Sequence, residues 1–151
     1  MLKSFFHTGF VVKDIEESVK FYADVLGMRI AGRSERKGEF AQQMLAFPDA
    51  HIKGGFLDMG DGHQLELIQY LSPASGENKL HRNDLGASHL AFLVEDIETF
   101  YKETSHKGIT YNNPPASLFD DDGNLLRKAA YAQDPDGNWL EFIELLSTLE
   151  H

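Results

Sequence analysis

Asp61-Gly62-His63-Gln64-Leu65-Glu66-Leu67-Ile68 and Asp136-Gly137-Asn138-Trp139-Leu140-Glu141-Phe142-Ile143 are one phrase written twice. Each copy runs Asp-Gly, two variable residues, Leu-Glu and two apolar residues, and the copies stand 75 positions apart. A second phrase repeats in the same order. His7 leads an apolar run into Lys13-Asp14-Ile15-Glu16, and His89 leads one into Glu95-Asp96-Ile97-Glu98, 82 positions on. Repetition at a fixed period dictates architecture, because each copy is one supersecondary unit. The chain therefore reads as two related modules, each opening on a histidine and closing on a glutamate within an apolar segment. His and Glu are nitrogen and oxygen donors suited to a divalent metal, so the repeat bears on chemistry too.

Bulk properties narrow the function classes. A length of 151 residues fits one compact domain, here expected over 1–148. Within it, module one covers 5–71, a linker rich in Ser, Pro, Gly, Asn and charge covers 72–86, and module two covers 87–146. Leu149-Glu150-His151 reads as a purification-tag remnant. No apolar stretch approaches the roughly 20 residues of a membrane span, and the N-terminus lacks the pattern of a secretory signal. There is no cysteine, which excludes disulfides and thiolate metal sites and suits a reducing cytoplasm. A net charge of -10 argues against nucleic acid or an anionic membrane as partner.

Local patterns predict the elements. Residues 5–12, dense in aromatic and β-branched side chains, read as a strand. Asp14 with Glu17 signals a helix start, Ile15, Val19, Tyr22 and Leu26 recur at helical spacing, and Gly27 supplies the stop. Strands are expected near 28–34, 40–47 and 54–59, then from 63 to 71 after the Asp61-Gly62 turn. Module two restarts with a strand at 87–94 and a helix at 96–107 ending at Gly108. A strand near 109–112, a Pro114-Pro115 loop, and strands near 125–133 and 139–146 complete it. Each module is thus expected to be βαβββ, two in tandem, and the expected fold class is α+β.

Strand parity assigns faces. His7, Gly9 and Val11 share one face, opposite the bulky Phe6, Phe10 and Val12 that a helix would cover; His89, Ala91 and Leu93 do the same in module two. Gln64, Glu66, Ile68 and Tyr70 form one face of the strand closing module one, and Trp139, Glu141 and Ile143 form its counterpart. Carboxylates in apolar company are expensive to bury unpaired. One divalent cation bound by His7, Glu66, His89 and Glu141 would satisfy all four. A lone His or Glu in a strand is more often solvated or hydrogen-bonded; recurrence at matching module positions is what favours the metal. His51, His63, His81 and His106 lack that recurrence and are expected to face solvent, with His51 bordering a strand that could line the cup. Asp120-Asp121-Asp122-Gly123-Asn124 lacks the spaced ligands of a calcium loop and reads as a hairpin turn, as does Asp134-Pro135-Asp136-Gly137.

Over essentially its whole length, His7 to Glu144, the chain resembles the vicinal oxygen chelate superfamily, which includes glyoxalase I, methylmalonyl-CoA epimerase, extradiol dioxygenases and fosfomycin and bleomycin resistance proteins. The resemblance is carried by His7-Thr8, Asp14, Ser18, Phe21-Tyr22, Leu26-Gly27-Met28, Leu65-Glu66-Leu67, His89, and Asp134-Pro135-Asp136-Gly137-Asn138 with Glu141. It implies paired modules forming a cup around one metal, bound at the positions of His7, Glu66, His89 and Glu141. Retention of all four ligands points to the glyoxalase and epimerase branch, where a proton moves next to a metal-bound carbonyl through an enediolate-type intermediate. The resemblance makes Glu141 the first candidate for the base and Glu66 the second. His7-Thr8 and Leu26-Gly27-Met28 lean toward glyoxalase I, but Val11 stands where glyoxalase I has an arginine that helps hold glutathione. Val11, Gln64, Ile68, Leu93, Trp139 and Ile143 are the expected pocket, suited to an apolar substrate portion. For a CoA substrate only Arg33, Arg36 and Lys37 form a loose basic cluster. The expected cofactor is one divalent ion, Zn, Ni, Co, Mn or Fe, and the expected assembly is a homodimer acting on a small molecule. The alternatives are an epimerase, a metal-dependent dioxygenase and a non-catalytic binding protein.

Overall fold

In a computed structural model of the chain, residues 1–146 are described, so the tag remnant expected at 149–151 lies outside them. Two compact units divide between Glu77 and Asn78, each with its own mixed sheet. The chain is α+β.

The first unit contains β1 (Thr8–Val11), α1 (Ile15–Asp24), β2 (Arg29–Lys37), α2 (Glu39–Leu45), β3 (His51–Asp58) and β4 (Gln64–Ser72). Its sheet has the order β1-β4-β3-β2, with β1 and β4 parallel and the remaining pairs antiparallel. A parallel pair needs a crossover, and α1 supplies it. Asp14 caps the helix by accepting from the backbone N–H groups of Glu16 and Glu17. The helix ends in an αL cap: Gly27 N–H donates to Ala23 O, and Gly27 takes the left-handed φ of 71° that favours glycine, while Met28 N–H donates to Tyr22 O. Ile15, Val19 and Tyr22 pack with Phe10, Val12, Leu57, Leu65 and Leu67 as buried core. Full burial of side chains this size contributes about 1.5–3 kcal/mol each.

The second unit contains β5 (His89–Leu93), α3 (Ile97–Thr104), β6 (Thr110–Tyr111), β7 (Ala116–Phe119), β8 (Leu125–Gln133) and β9 (Trp139–Leu145). Its sheet order is β5-β9-β8-β6, with β7 also paired to β8. β5 and β9 are parallel, as β1 and β4 are. Phe142 anchors the core, its ring 4.7 Å from Phe100, 5.8 Å from Phe92 and 6.0 Å from Tyr111.

The duplication survives in detail. Ile15 N–H, opening α1, donates to the Gln69 side chain, and Ile97 N–H, opening α3, donates to that of Glu144. Gln69 and Glu144 each stand three residues beyond the repeated glutamate, on the helix-covered face. Within the second unit, the Asp120 and Asp134 turns match each other: each carboxylate accepts from the backbone N–H two residues on and from both the backbone and side-chain amide of an asparagine four residues on.

Several boundaries differ from the sequence expectation. The strand expected at 40–47 is instead helix α2, with only Ala41 buried and Gln43 Nε2 donating to Glu39 Oε1. A short apolar run does not distinguish strand from helix, and Glu, Gln, Met, Leu and Ala favour the helix. Strands expected to start at 5 and 87 start at Thr8 and His89, because β4 and β9 offer ladder partners only from Leu65 and Trp139. β7 was not expected. It and β6 are one outer strand interrupted by Pro114 and Pro115, which cannot donate to a ladder.

Candidate functional site

In each unit the face of the sheet not covered by its helix carries a histidine–glutamate pair. Parallel pairing sets Gly9 against Glu66 and Ala91 against Glu141, so a minimal side chain stands beside each carboxylate. His7 Nε2 lies 2.9 Å from Glu66 Oε2, and His89 Nε2 lies 3.2 Å from Glu141 Oε2. Glu66 is buried and Glu141 half-buried, so both depend on these neighbours for their polar contacts.

A third residue recurs with each pair. Phe56 stands in register with Glu66, and its ring meets His7 edge-on at 5.9 Å. Tyr131 stands in register with Glu141, and its ring meets His89 edge-on at 5.2 Å. Only the second carries a hydroxyl, 3.4 Å from His89 Nε2. Burial, and next the negative charge of Glu141 and a hydrogen bond to it, hold the Tyr131 phenol above its ordinary pKa, while Arg82 opposes the shift. The Arg82 guanidinium lies over the Tyr131 ring, 4.3 Å from its centroid. In the first unit the cation touches the carboxylate instead: Arg36 Nη1 is 3.6 Å from Glu66 Oε1 and donates to Ser34 Oγ. Ser34 leans over Gly54, where an added Cβ would sit 2.5 Å from its Oγ, so the missing side chain makes room for it.

Phe56, Tyr131 and Arg36 were not singled out for this role from sequence. Phe56 and Tyr131 each precede their glutamate by ten positions across an Asp-Gly turn, and that hairpin register was the available signal.

The expected pocket residues fall on the same faces. Val11 pairs with Ile68 in the first unit. Leu93 pairs with Ile143, and Trp139 with His89, in the second. Gln64 stands in register with Asp58, whose carboxylate accepts two bonds from Arg29. Val11 and Leu93 are exposed, Gln64, Ile68 and Ile143 half-buried, and Trp139 buried. His51 does not reach this face. It pairs with Glu35 at 2.7 Å on the opposite side of β3, and that hydrogen bond holds the Glu35 carboxyl below its ordinary pKa. His63 and His81 are exposed beside Asp61 and Asp84, and His106 is exposed. The structure thus brings His7 to Glu66 and His89 to Glu141. Among the described residues no three His, Asp or Glu side chains form a group that could hold a metal ion. Each pair offers donors of the right chemistry, but only two of the four that a closed site needs.

The glyoxalase/bleomycin resistance protein/dioxygenase superfamily model matches residues 4–142. The chain belongs to that superfamily. Among curated relatives, the uncharacterised protein YwbC of Bacillus subtilis is 31% identical over 149 residues, covering 95% of this chain and 99% of YwbC. The lactoylglutathione lyase of Pseudomonas aeruginosa is 29% identical over 150 residues, covering 93% of this chain and 81% of the enzyme. A solved glyoxalase family protein from Bacillus cereus has the same fold, with a TM-score of 0.84 at 19% identity over 97% of each chain. Among the described residues no helix of this superfamily member is long and apolar enough to cross a membrane.

Proposed function

We propose that this superfamily member is a divalent-metal-dependent lyase/isomerase of the glyoxalase I type. It would move a proton between carbons next to a carbonyl. The observation that supports this is the twin His–Glu pair, set at the same register position on the open face of both sheets. The named activity of the Pseudomonas aeruginosa relative agrees with it. In this reading His7, Glu66, His89 and Glu141 together hold one ion, with Zn, Ni, Co, Mn and Fe all compatible with the donor types. The two pairs join either in one chain or between two copies in a homodimer.

When bound, such an ion polarises the substrate carbonyl and favours negative charge on its oxygen. The remaining work falls to the chain. Glu66 has the Arg36 guanidinium beside it, which favours its staying in place. Glu141 has a phenol instead and is the freer carboxylate, so it is the base that takes the proton from the neighbouring carbon and returns it. Tyr131, kept protonated, orients Glu141 by hydrogen bonding. Val11, Ile68, Leu93 and Ile143 offer apolar surface beside the pairs that fits an apolar substrate portion.

The test is a side-by-side assay of the metal-loaded protein. Its arms are the methylglyoxal–glutathione hemithioacetal, an acyl-CoA epimer in deuterated water, and a catechol with oxygen uptake recorded. Turnover of the hemithioacetal that is lost on chelation supports the lyase reading. Exchange of the epimer alone, oxygen uptake alone, or binding that survives chelation without turnover would replace it with an epimerase, a dioxygenase or a binding protein.

A further inference from the structure

His81-Arg82-Asn83-Asp84 closes on itself as a turn. Asp84 N–H donates to His81 O at 3.0 Å, and the Asp84 carboxylate accepts from His81 N–H at 2.7 Å and lies 3.4 Å from His81 Nδ1. Asn78 ties the same segment to the Asp136-Gly137 turn before β9, donating its side-chain amide to Gly137 O. Arg82 therefore leaves a fixed stretch of backbone, and its guanidinium stacks over Tyr131, 4.3 Å from the ring centroid. Stacking covers a face of the guanidinium and leaves the N–H donors around its edge unused. Among the described residues no carboxylate pairs with Arg82 and no oxygen accepts from it; Asp84, the acid nearest in sequence, is turned to His81. Arg82 is also exposed, so those donors are reachable. Tyr131 in turn stands in register with Glu141 and meets the His89 ring at 5.2 Å. One phenol ring thus separates a cation with spare donors from the second His–Glu pair.

We propose that Arg82 is a specificity-determining residue that receives a carboxylate of the substrate, placed a few bonds from the carbonyl handled at His89 and Glu141. The short separation follows from the stack, because the guanidinium and the histidine touch the same ring. A carboxylate carried only at the far end of a long peptide arm does not meet that condition. The two oxygens of a carboxylate match the guanidinium edge through parallel N–H···O bonds. A doubly charged phosphate is a poorer fit, since one guanidinium balances one negative charge and Glu141 lies at the other side of the phenol. In a chain with 24 Asp and Glu against 14 Lys and Arg, an arginine held without an acidic partner is a distinct electrostatic feature. The inference rests on reading His89 and Glu141 as the reacting pair.

The probes are 4-oxopentanoate and its methyl ester, which share a carbonyl and differ in the charged group, titrated into zinc-supplemented protein by calorimetry. Wild type should bind the acid about tenfold more tightly than the ester. Arg82→Gln should bring the two to parity. Arg82→Lys, which keeps the charge and loses the planar fork, should keep only part of the preference. In a proton–nitrogen correlation spectrum the Arg82 side-chain Nε–H resonance, identified by its absence from Arg82→Lys, should shift downfield with the acid and stay put with the ester. A wild type that binds both alike, or a preference that survives Arg82→Gln, overturns the proposal. So does an Arg82 resonance unmoved by the acid, which would leave the side chain only packing on Tyr131. An Arg82-dependent preference in a protein that does not turn over the hemithioacetal removes the lyase reading and leaves the carboxylate subsite standing. Turnover of the hemithioacetal with no preference for the acid does the reverse.

Discussion

Glu66 and Glu141 occupy equivalent register positions, yet one faces a guanidinium and the other a phenol. That difference divides their expected roles. Glu141→Gln keeps the shape and loses the base, so kcat for proton exchange should fall by about 10²–10⁴-fold per metal ion bound. Glu66→Gln should instead lower metal occupancy, measured by elemental analysis. Equal loss of exchange at full metal content in both variants would cancel the division. Trp139 marks the other end of the residue scale. Strand alternation assigns its face, but its burial and its indole nitrogen's lack of an acceptor among the described residues appear only when its surroundings are known.

At the scale of elements, the helix starts are the most local features and the easiest to test. Asp14→Ala removes the acceptor for two backbone N–H groups and should destabilise the protein by about 1 kcal/mol in denaturant unfolding. The equivalent cap, Asp96, has its carboxyl held below the ordinary 3.8, first by the backbone N–H of Thr99 and then by its hydroxyl. A depressed carboxyl pKa contributes stability that is fully present above 3.8 and is lost as pH falls through the lower folded value. Asp96→Ala should therefore lie below wild type in melting temperature at neutral pH, and the gap should close in acid. A gap independent of pH would rule out the cap. Helix-to-sheet packing is tighter still. An added Cβ at Gly55 would come within 2.7 Å of Val19 Cγ2, so Gly55→Val should overpack the core by about 1–3 kcal/mol. Not all elements were legible in the sequence. The apolar run at 40–47 carried no period able to separate strand from helix, and β7 has no buried side to give it a pattern.

At the scale of the whole molecule, the twin pairs predict a ligand-linked stability. Adding zinc to chelator-treated protein should raise the melting temperature, with one equivalent bound per site and reversal by chelator, because an ion that binds only the folded state stabilises it. His7→Ala and His89→Ala should each remove most of that rise, although the two histidines lie in different units. A rise that survives either substitution would show that the pairs act separately. Net charge makes a further demand at this scale: with a sequence pI near 5.0, solubility should be lowest around that pH.

The duplication, the Asp14 start and Gly27 stop of the first helix and the two faces of each sheet were legible in the chain alone, because all of these follow from short-range spacing and strand alternation. The sequence also singled out the histidines and glutamates as candidates, since a phrase repeated at matching module positions needs no contact map to be seen. Tertiary structure decided what stands beside them. Phe56, Tyr131 and Arg36 come from neighbouring strands, through ladder registers that local patterns do not specify, and the unpaired Trp139 donor depends on everything packed around it. Identity of the polar groups is a local property. Their burial and partners are set by where distant strands meet.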